Sequence, residues 1–170
     1  DYKAVFDSST GDEPVRISEL TIFDPSKRWT KGLTGVHRDL DIGTHTKILV
    51  RNLTESDVPS LPPNISLVNA MDITIQGVES SDALPSLLGF EIESDWVLTQ
   101  SRSPSDIRLF RYRDGWNELP TTHLGRVRGH SNQDFEKFSA DTPGFSMFSI
   151  GLKIADESRY PTVTPTPSPV

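Results

Sequence analysis

Two asparagines stand in the Asn-x-Ser/Thr sequence that N-linked glycosylation requires. Asn52 begins Asn-Leu-Thr and Asn64 begins Asn-Ile-Ser, directly after the Pro-rich stretch 58–63. Such a sequon is modified when a surface loop of an exported protein presents it. The sequence therefore predicts a glycan on at least one of the two, with Asn64 the more accessible. An ordinary loop asparagine is the alternative.

A concentration of arginine between residues 102 and 128 is the most unusual local charge. This segment holds six arginines, three acidic residues and no lysine. Guanidinium groups bind carboxylates in planar pairs and stack on aromatic rings, which predicts a patch for acidic glycans or an acidic neighbour. Its members are Arg108, Arg111, Tyr112, Arg113 and Trp116. The alternative, which the acidic balance of the chain favours, is cross-strand pairing with Glu91, Glu93 and Asp95.

Residues that could bind a metal ion are scattered along the chain. The histidines are His37, His45, His123 and His130. Their spacing does not bring two of them to one zinc ion within a single element. Asp39 and Asp41 lie near Gly43, but this stretch lacks the further acidic positions and the distal glutamate of an EF-hand loop. We therefore expect a solvated acidic turn and no cofactor, with an irregular calcium site as the alternative.

Candidate catalytic groups lack the neighbours that catalysis needs. Ser146 lies in Gly-Phe-Ser-Met-Phe, where Phe148 occupies the place of the second glycine of a nucleophile elbow. Glu91 and Glu93 alternate along one predicted strand, which is the usual pattern of an exposed sheet face. The chain has no cysteine, which excludes disulfides and thiolate chemistry. The sequence thus predicts that the chain is not an enzyme.

The overall charge is acidic. Among 170 residues, 17 are Lys or Arg and 24 are Asp or Glu, which gives a formal net charge of -7. A chain of this charge repels nucleic acid and anionic lipid at long range. No apolar run approaches the ~20 residues of a membrane helix. We therefore expect no nucleic-acid partner and no membrane insertion of this segment.

The elements that must position these groups are β-strands. Proline and glycine interrupt the chain about every 8–12 residues, as in an all-β sandwich. Apolar and polar residues alternate in the predicted strands, which are 47–53, 67–78, 90–96, 107–112, 135–140 and 145–154. Helical periodicity is confined to short turns such as 82–88. These patterns predict an antiparallel β-sandwich, with two small packed β subdomains as the alternative.

The two ends of the chain differ from its centre. In residues 1–45, the strand candidate 15–23 shifts its apolar phase between Ile17 and Leu20, which suggests a bulge. This region either forms a small β subdomain or adds strands to the main domain, 46–156. The chain ends in PTVTPTPSPV. Because alternating Pro and Thr favours extended polyproline II and cannot pair in a sheet, 157–170 is predicted to be a disordered linker.

Several sequence blocks follow one another in a specific order. Residues 73–75 read ITI, 89–97 read GFEIESDWV, 107–112 read IRLFRY, 116–121 read WNELPT and 138–150 read FSADTPGFSMFSI. In this order they resemble the PGF-pre-PGF domain of archaeal cell-surface proteins, common in methanogens, over about residues 46–152. Ser149 stands where that family usually has alanine, and residues 1–45 lie outside the resemblance.

The resemblance implies an extracellular domain near the C-terminus of a larger surface protein, tethered through its linker to an anchor outside this chain. It implies no catalytic residue. We therefore expect a non-catalytic, S-layer-like glycoprotein module with a structural, adhesion or assembly role in an archaeal envelope. Its partners would be further copies of the chain, other envelope proteins or glycans. The alternative function is a carbohydrate-binding module that uses exposed aromatic and arginine side chains.

The closing block also predicts local structure. Pro143-Gly144 is expected to form a type II turn, because proline presets φ and glycine supplies the positive φ that follows. This turn would deliver Phe145 and Phe148 to the core. Trp96 and Trp116 are expected to anchor the same core, with acceptors for their indole N–H groups. Asp114-Gly115 is expected to form a hairpin turn before Trp116.

Overall fold

The computed structural model describes residues 3–6, 15–22, 47–76, 85–100, 102–129 and 132–154. The chain forms almost only strands there, because β-branched and aromatic residues alternate with polar ones between Pro and Gly turns. The elements are β1 (Lys3–Phe6), β2 (Val15–Ile22), β3 (Lys47–Asn52), β4 (Ile65–Gln76), β5 (Ser86–Glu93), α1 (Ser94–Thr99), β6 (Ile107–Tyr112), β7 (Trp116–Leu119), β8 (Thr121–Arg128), β9 (Asp134–Thr142) and β10 (Met147–Lys153).

The strands build two packed sheets. The large sheet has the order β1-β3-β4-β10-β6-β7, and the small sheet has the order β2-β5-β9-β8. Within the described ranges every pairing is antiparallel except that of β1 with β3. Among the described strands, the chain passes from one sheet to the other after β1, β2, β4, β5, β7 and β9. The predicted all-β, sandwich-like fold is thus confirmed.

The core lies between the two sheets. Phe90 of the small sheet stacks on Phe138, with ring centroids 5.1 Å apart. From the other side Phe145 and Phe148 meet edge to face at 6.5 Å, and both are buried as predicted. Each such side chain contributes about 1.5–3 kcal/mol when it is removed from water. Further fully buried members of this core are Met71, Ile73, Leu88, Ile92, Leu109 and Ile150.

The described strands of residues 1–45 pair with the rest of the chain. β1 runs parallel to β3, and β2 runs antiparallel to β5. The register of β2 shifts between Ile17 and Glu19, which confirms the predicted bulge. Leu20, beyond the shift, is buried in the core. These strands therefore extend both sheets of the sandwich.

The segment after Phe90 departs from the prediction. The strand ends at Glu93, and Ser94–Thr99 is a short helix. Ser94 and Val97, three residues apart, lie on the same face of this helix, and both are 2% exposed. Trp96 is partly buried against the core. Glu91 is only 8% exposed, so the prediction that it lies on a solvent-exposed face is wrong.

Three other local predictions also change. Residues Ser86–Leu88, placed in a helical turn, belong to β5, and β8 was not predicted at all. Gly144 does not have the positive φ of a type II turn, which among the described glycines occurs at Gly115 and Gly125. Instead the Thr142 hydroxyl donates to Gly144 O at 2.6 Å and holds the crossing to β10. Ile154, the last residue of the predicted strand 145–154, is 44% exposed and lies just beyond the end of β10.

A loop, residues 53–64, lies against the outer face of the large sheet, and we call it the outer loop. Trp116, predicted to anchor the core, instead lies half-buried on that face and donates its indole N–H to Pro59 O at 3.1 Å. Phe110 is 3% exposed although its strand neighbour Leu109 points to the opposite, inner face. The large sheet is thus covered on both faces near β6 and β10. Buried and exposed residues therefore do not simply alternate along β6.

Candidate functional site

The hairpin of β6 and β7 presents two aromatic rings on the outer face. Tyr112 lies opposite Trp116, and their centroids are 5.2 Å apart in an edge-to-face contact. Asp114 and Gly115 have φ values of 55° and 128°, and Arg113 N–H donates to Gly115 O at 2.8 Å. These positive φ values confirm the hairpin turn predicted here. Both rings are half-buried, so each leaves part of its surface open.

The arginines of the predicted patch separate by the side of the strand on which they lie. Arg108 is on the outer face with Tyr112, and its Nε donates to Glu118 Oε1 at 3.1 Å. The same carboxylate also binds Lys153 at 3.1 Å. Arg113 is exposed in the hairpin turn. The outer face therefore carries Arg108, Tyr112 and Trp116, with Arg113 exposed in the adjoining turn and Arg108 partly neutralised.

Arg111 does not belong to this patch. Alternation along β6 turns it to the inner face, where it is 3% exposed. Its Nε donates to Ser146 Oγ at 3.0 Å and its Nη2 to Phe145 O at 3.4 Å. Ser146 in turn donates to Tyr112 O at 3.0 Å. Arg111 and Ser146 thus fasten the crossing between β9 and β10 to β6, a structural role that corrects the prediction for Arg111.

A buried carboxylate on β9 of the small sheet binds side chains of α1 and β8, and the sequence reasoning missed it. Glu136 is 4% exposed on β9, in phase with Phe138 and Ala140. Its Oε1 accepts from Arg126 Nε at 2.9 Å and from Ser94 Oγ at 3.0 Å, and its Oε2 lies 2.8 Å from His123 Nε2. An acidic residue in phase with core residues was the sequence signal that could have revealed it.

The partners of Glu136 decide its ionisation. Burial by itself would raise the pKa of the carboxyl, but the hydrogen bonds from Arg126, His123 and Ser94 outweigh burial and hold that pKa below its ordinary value. Ser94 is itself only 2% exposed, and its hydroxyl donates to this carboxylate. We call these four residues, Ser94, His123, Arg126 and Glu136, the clasp, because their hydrogen bonds join α1, β8 and β9.

The pairing expected between the arginine-rich segment and Glu91 takes a different form. Glu91 is bound by Arg16 of β2, with Nε to Oε2 at 2.6 Å. The Arg16 guanidinium also lies 3.8 Å from the centre of the Phe135 ring. From the arginine-rich segment, Arg126 binds a carboxylate of the same sheet, that of Glu136. Cross-strand ion pairs therefore exist, but with partners other than the acidic residues named from the sequence.

The two sequons lie in different surroundings. Asn52 ends β3 opposite Met71 and is half-buried. Asn64 is exposed with φ of 64°, and Ile65 N–H donates to Pro62 O at 3.3 Å across it. Proline at the first central position and positive φ at the second match a type II turn. Ser66, which completes this sequon, is also exposed.

A shallow groove runs between the outer loop and β4, and we call it the outer groove. It consists of two concavities of about 460 Å³ and about 420 Å³, both lined by Glu55, Ser66 and Leu67. The first is also lined by Val58, Leu61, Ile65 and Ile154. The second extends along β4 to Asn69 and Ala70. The exposed surface of both concavities is more polar than apolar, and the aliphatic side chains of Val58, Leu61, Ile65 and Ile154 form an apolar wall along one side of the first.

The described ranges bear on metal binding and on membrane crossing. These hold no group of three or more His, Asp or Glu side chains arranged to bind a metal ion. No helix in them is long and apolar enough to cross a membrane. The calcium alternative at Asp39, Asp41 and Gly43 falls outside the residues described.

Comparisons with protein-family models, with curated proteins and with solved structures gave no match. The resemblance to the PGF-pre-PGF domain therefore stays a prediction from the sequence blocks. The fold and the surfaces described above are the physical basis for assigning a function.

Proposed function

We propose that this chain is a non-catalytic, extracellular glycoprotein module of an archaeal cell-surface or envelope protein, with a structural, adhesion or assembly role. The observation that carries the proposal is the exposed Asn64 sequon on its turn. The Pro/Thr-rich segment that ends the chain supports it as a tether to an anchor elsewhere. The resemblance of the sequence blocks points to the same compartment.

The geometry of Asn64 favours modification. Asparagine tolerates the left-handed backbone better than most residues, so the turn accommodates the exposed Asn64 at little cost in strain. Asn52 is less suitable, because it is half-buried at the end of a paired strand. We therefore expect Asn64 to carry the glycan.

The edges of the sheets favour a spacer role over assembly by strand pairing. β7, at one edge of the large sheet, has four residues. β8, at one edge of the small sheet, contains a register shift before Gly125 and carries exposed Arg126 and Arg128. Short edges, bulges and charges are the usual protection against pairing with another chain. A module that stands in a crowded envelope benefits from such protection.

The test is the intact mass of the protein secreted by an N-glycosylating host, followed by glycopeptide mapping. We expect added glycan mass at Asn64. Ser66→Ala should abolish it, and the matched variant Ser66→Thr, which keeps the sequon, should retain it. A wild-type mass equal to that of the bare chain would refute the proposal.

A second candidate function is carbohydrate binding by the outer face of the β6–β7 hairpin. Tyr112 and Trp116 lie side by side there, each partly open, with exposed Arg113 next to them. Acidic oligosaccharides should then quench the fluorescence of wild-type protein, and Trp116→Phe should lose that change. Absence of any saccharide-dependent signal on a panel of acidic and neutral glycans would leave the structural role as the better account.

A further inference from the structure

We infer that a glycan on Asn64 folds over the outer groove and covers its apolar wall, so that the sugar becomes a packed layer of this face. The inference rests on the glycosylation proposed above. It adds what the glycan contacts and what it does for the protein.

Asn64 lies at the rim of the outer groove. Its carbonyl oxygen accepts a hydrogen bond from Ile154 N–H at 2.8 Å, which ties the turn to the end of β10. Its neighbour Ile65 lines the groove, and so does Ile154. The type II turn sets the direction of the backbone at the attachment point. The first sugar is therefore tethered beside the wall that it would cover.

The wall itself is poorly protected from water. Ile154 is 44% exposed, and Val58, Leu61 and Leu67 are only half-buried. An exposed cluster of aliphatic side chains beside a polar centre is a favourable surface for a ligand that combines both characters.

A sugar has that combination of characters. The C–H groups of a pyranose ring form an apolar face that covers aliphatic side chains, while its hydroxyl groups stay in water or bind polar atoms. Glu55 and Ser66 offer such polar atoms at the middle of the groove. Its first concavity, of about 460 Å³, falls within the range of pockets that hold small ligands.

The experiment compares hydrogen–deuterium exchange of the secreted glycoprotein with that of Ser66→Ala, which lacks the sequon but keeps Asn64 in its turn. We expect the glycan to slow exchange of residues 58–67 and 153–154 by about tenfold, because covering the groove disfavours local opening. Trimming a high-mannose glycan to a single N-acetylglucosamine should keep most of this effect.

A displaced glycan provides the matched control. Asn132 is also exposed with positive φ, 59°, but it lies in the hairpin between β8 and β9 of the small sheet. In the double variant Ser66→Ala/Asp134→Thr the sequon moves to Asn132, and exchange of residues 58–67 should match that of Ser66→Ala alone. Equal protection from both positions would overturn the inference, because the effect would then be general to glycans.

The outcomes separate the two proposals. Absence of glycan mass at Asn64 refutes the proposed glycosylation and this inference with it. Glycan mass at Asn64 without slower exchange of the outer groove leaves the proposed function standing and overturns only the packing of the sugar. In the glycosylated protein, Ile154→Ser should also weaken the protection, since it removes part of the apolar wall.

Discussion

Replacing Gly151 with alanine measures how tightly the start of β4 and the strand β6 pack against β10. An added Cβ at this position would lie 2.4 Å from Ile65 Cγ2 and 2.9 Å from Phe110 Cε2. Apolar carbons prefer about 3.5–4.0 Å, so the new methyl group intrudes by roughly 1 Å on Ile65. Both neighbours sit on strands that pair with β10, and neither contact atom is the free end of a long side chain.

The magnitude follows from two opposing contributions to the free energy of unfolding. Overpacking a closely packed site costs about 1–3 kcal/mol. Alanine gains about 0.5–1 kcal/mol over glycine within a strand, because glycine loses more backbone entropy on folding. We therefore expect Gly151→Ala to destabilise the protein by about 1 kcal/mol, with an upper bound near 2.5 kcal/mol.

Urea denaturation is the suitable assay. A loss of about 1 kcal/mol lowers the urea midpoint by about 0.5 M when m is near 2 kcal/mol/M, and m should stay constant. The matched background is Ile65→Ala, which removes the clashing Cγ2 atom. In that background the cost of Gly151→Ala should fall by roughly half or more, as expected for residues in direct contact. An equal cost in both backgrounds, or a wild-type protein stabilised by Gly151→Ala, would refute the packing described for this face.

Three further predictions concern the clasp, the buried arginine and the hairpin. The folded pKa of Glu136 lies below the ordinary value, so its contribution to stability is present above about pH 5 and is lost as the pH falls through the ordinary and then the folded pKa. Glu136→Gln should flatten this acid dependence in urea melts between pH 7 and pH 3, and identical slopes would contradict the clasp. Arg111→Met should lower the free energy of unfolding by about 2–3 kcal/mol, because the buried carbonyl oxygen of Phe145 loses a charged hydrogen-bond donor. A loss below about 0.5 kcal/mol would exclude the structural role of Arg111. Gly115→Ala should lower the melting temperature, because a backbone φ of 128° costs an L-residue about 1–3 kcal/mol. The new Cβ has no atom within 4 Å, so the backbone alone is responsible for this cost. An unchanged melting temperature would contradict the turn conformation described for the β6–β7 hairpin.

The local pattern of the chain was sufficient for much of the strand structure. Alternation predicted β6 at 107–112 with the bounds that the fold has. Asp114-Gly115 predicted the hairpin turn, because few residues other than glycine, asparagine and aspartate adopt positive φ. The phase shift near Ile17 predicted the bulge in β2. Each of these features depends on residues that are neighbours in the chain, so the sequence alone carries the information.

The candidate sites were predictable only in part. The two sequons could be read directly, since the modification depends on a three-residue pattern. The arginine patch was predicted as a set of residues close in sequence, but alternation along β6 separates Arg111 from Arg108 and Tyr112. Glu136 was missed because its partners His123 and Ser94 are 13 and 42 residues away in the chain. No local pattern shows that such groups meet.

By itself, therefore, the sequence determined that this chain is a β protein, where several strands and turns lie, and which asparagines could carry a sugar. Only the tertiary structure decided which strands pair, how Glu136 gathers its partners, and that the outer loop covers the large sheet. Phe110 and Leu109 point to opposite faces of β6, yet both are buried, Leu109 in the core between the sheets and Phe110 on the outer face. Alternation reports two faces of a strand, but which face is covered depends on segments far away in the chain, and that information exists only once the layers have packed.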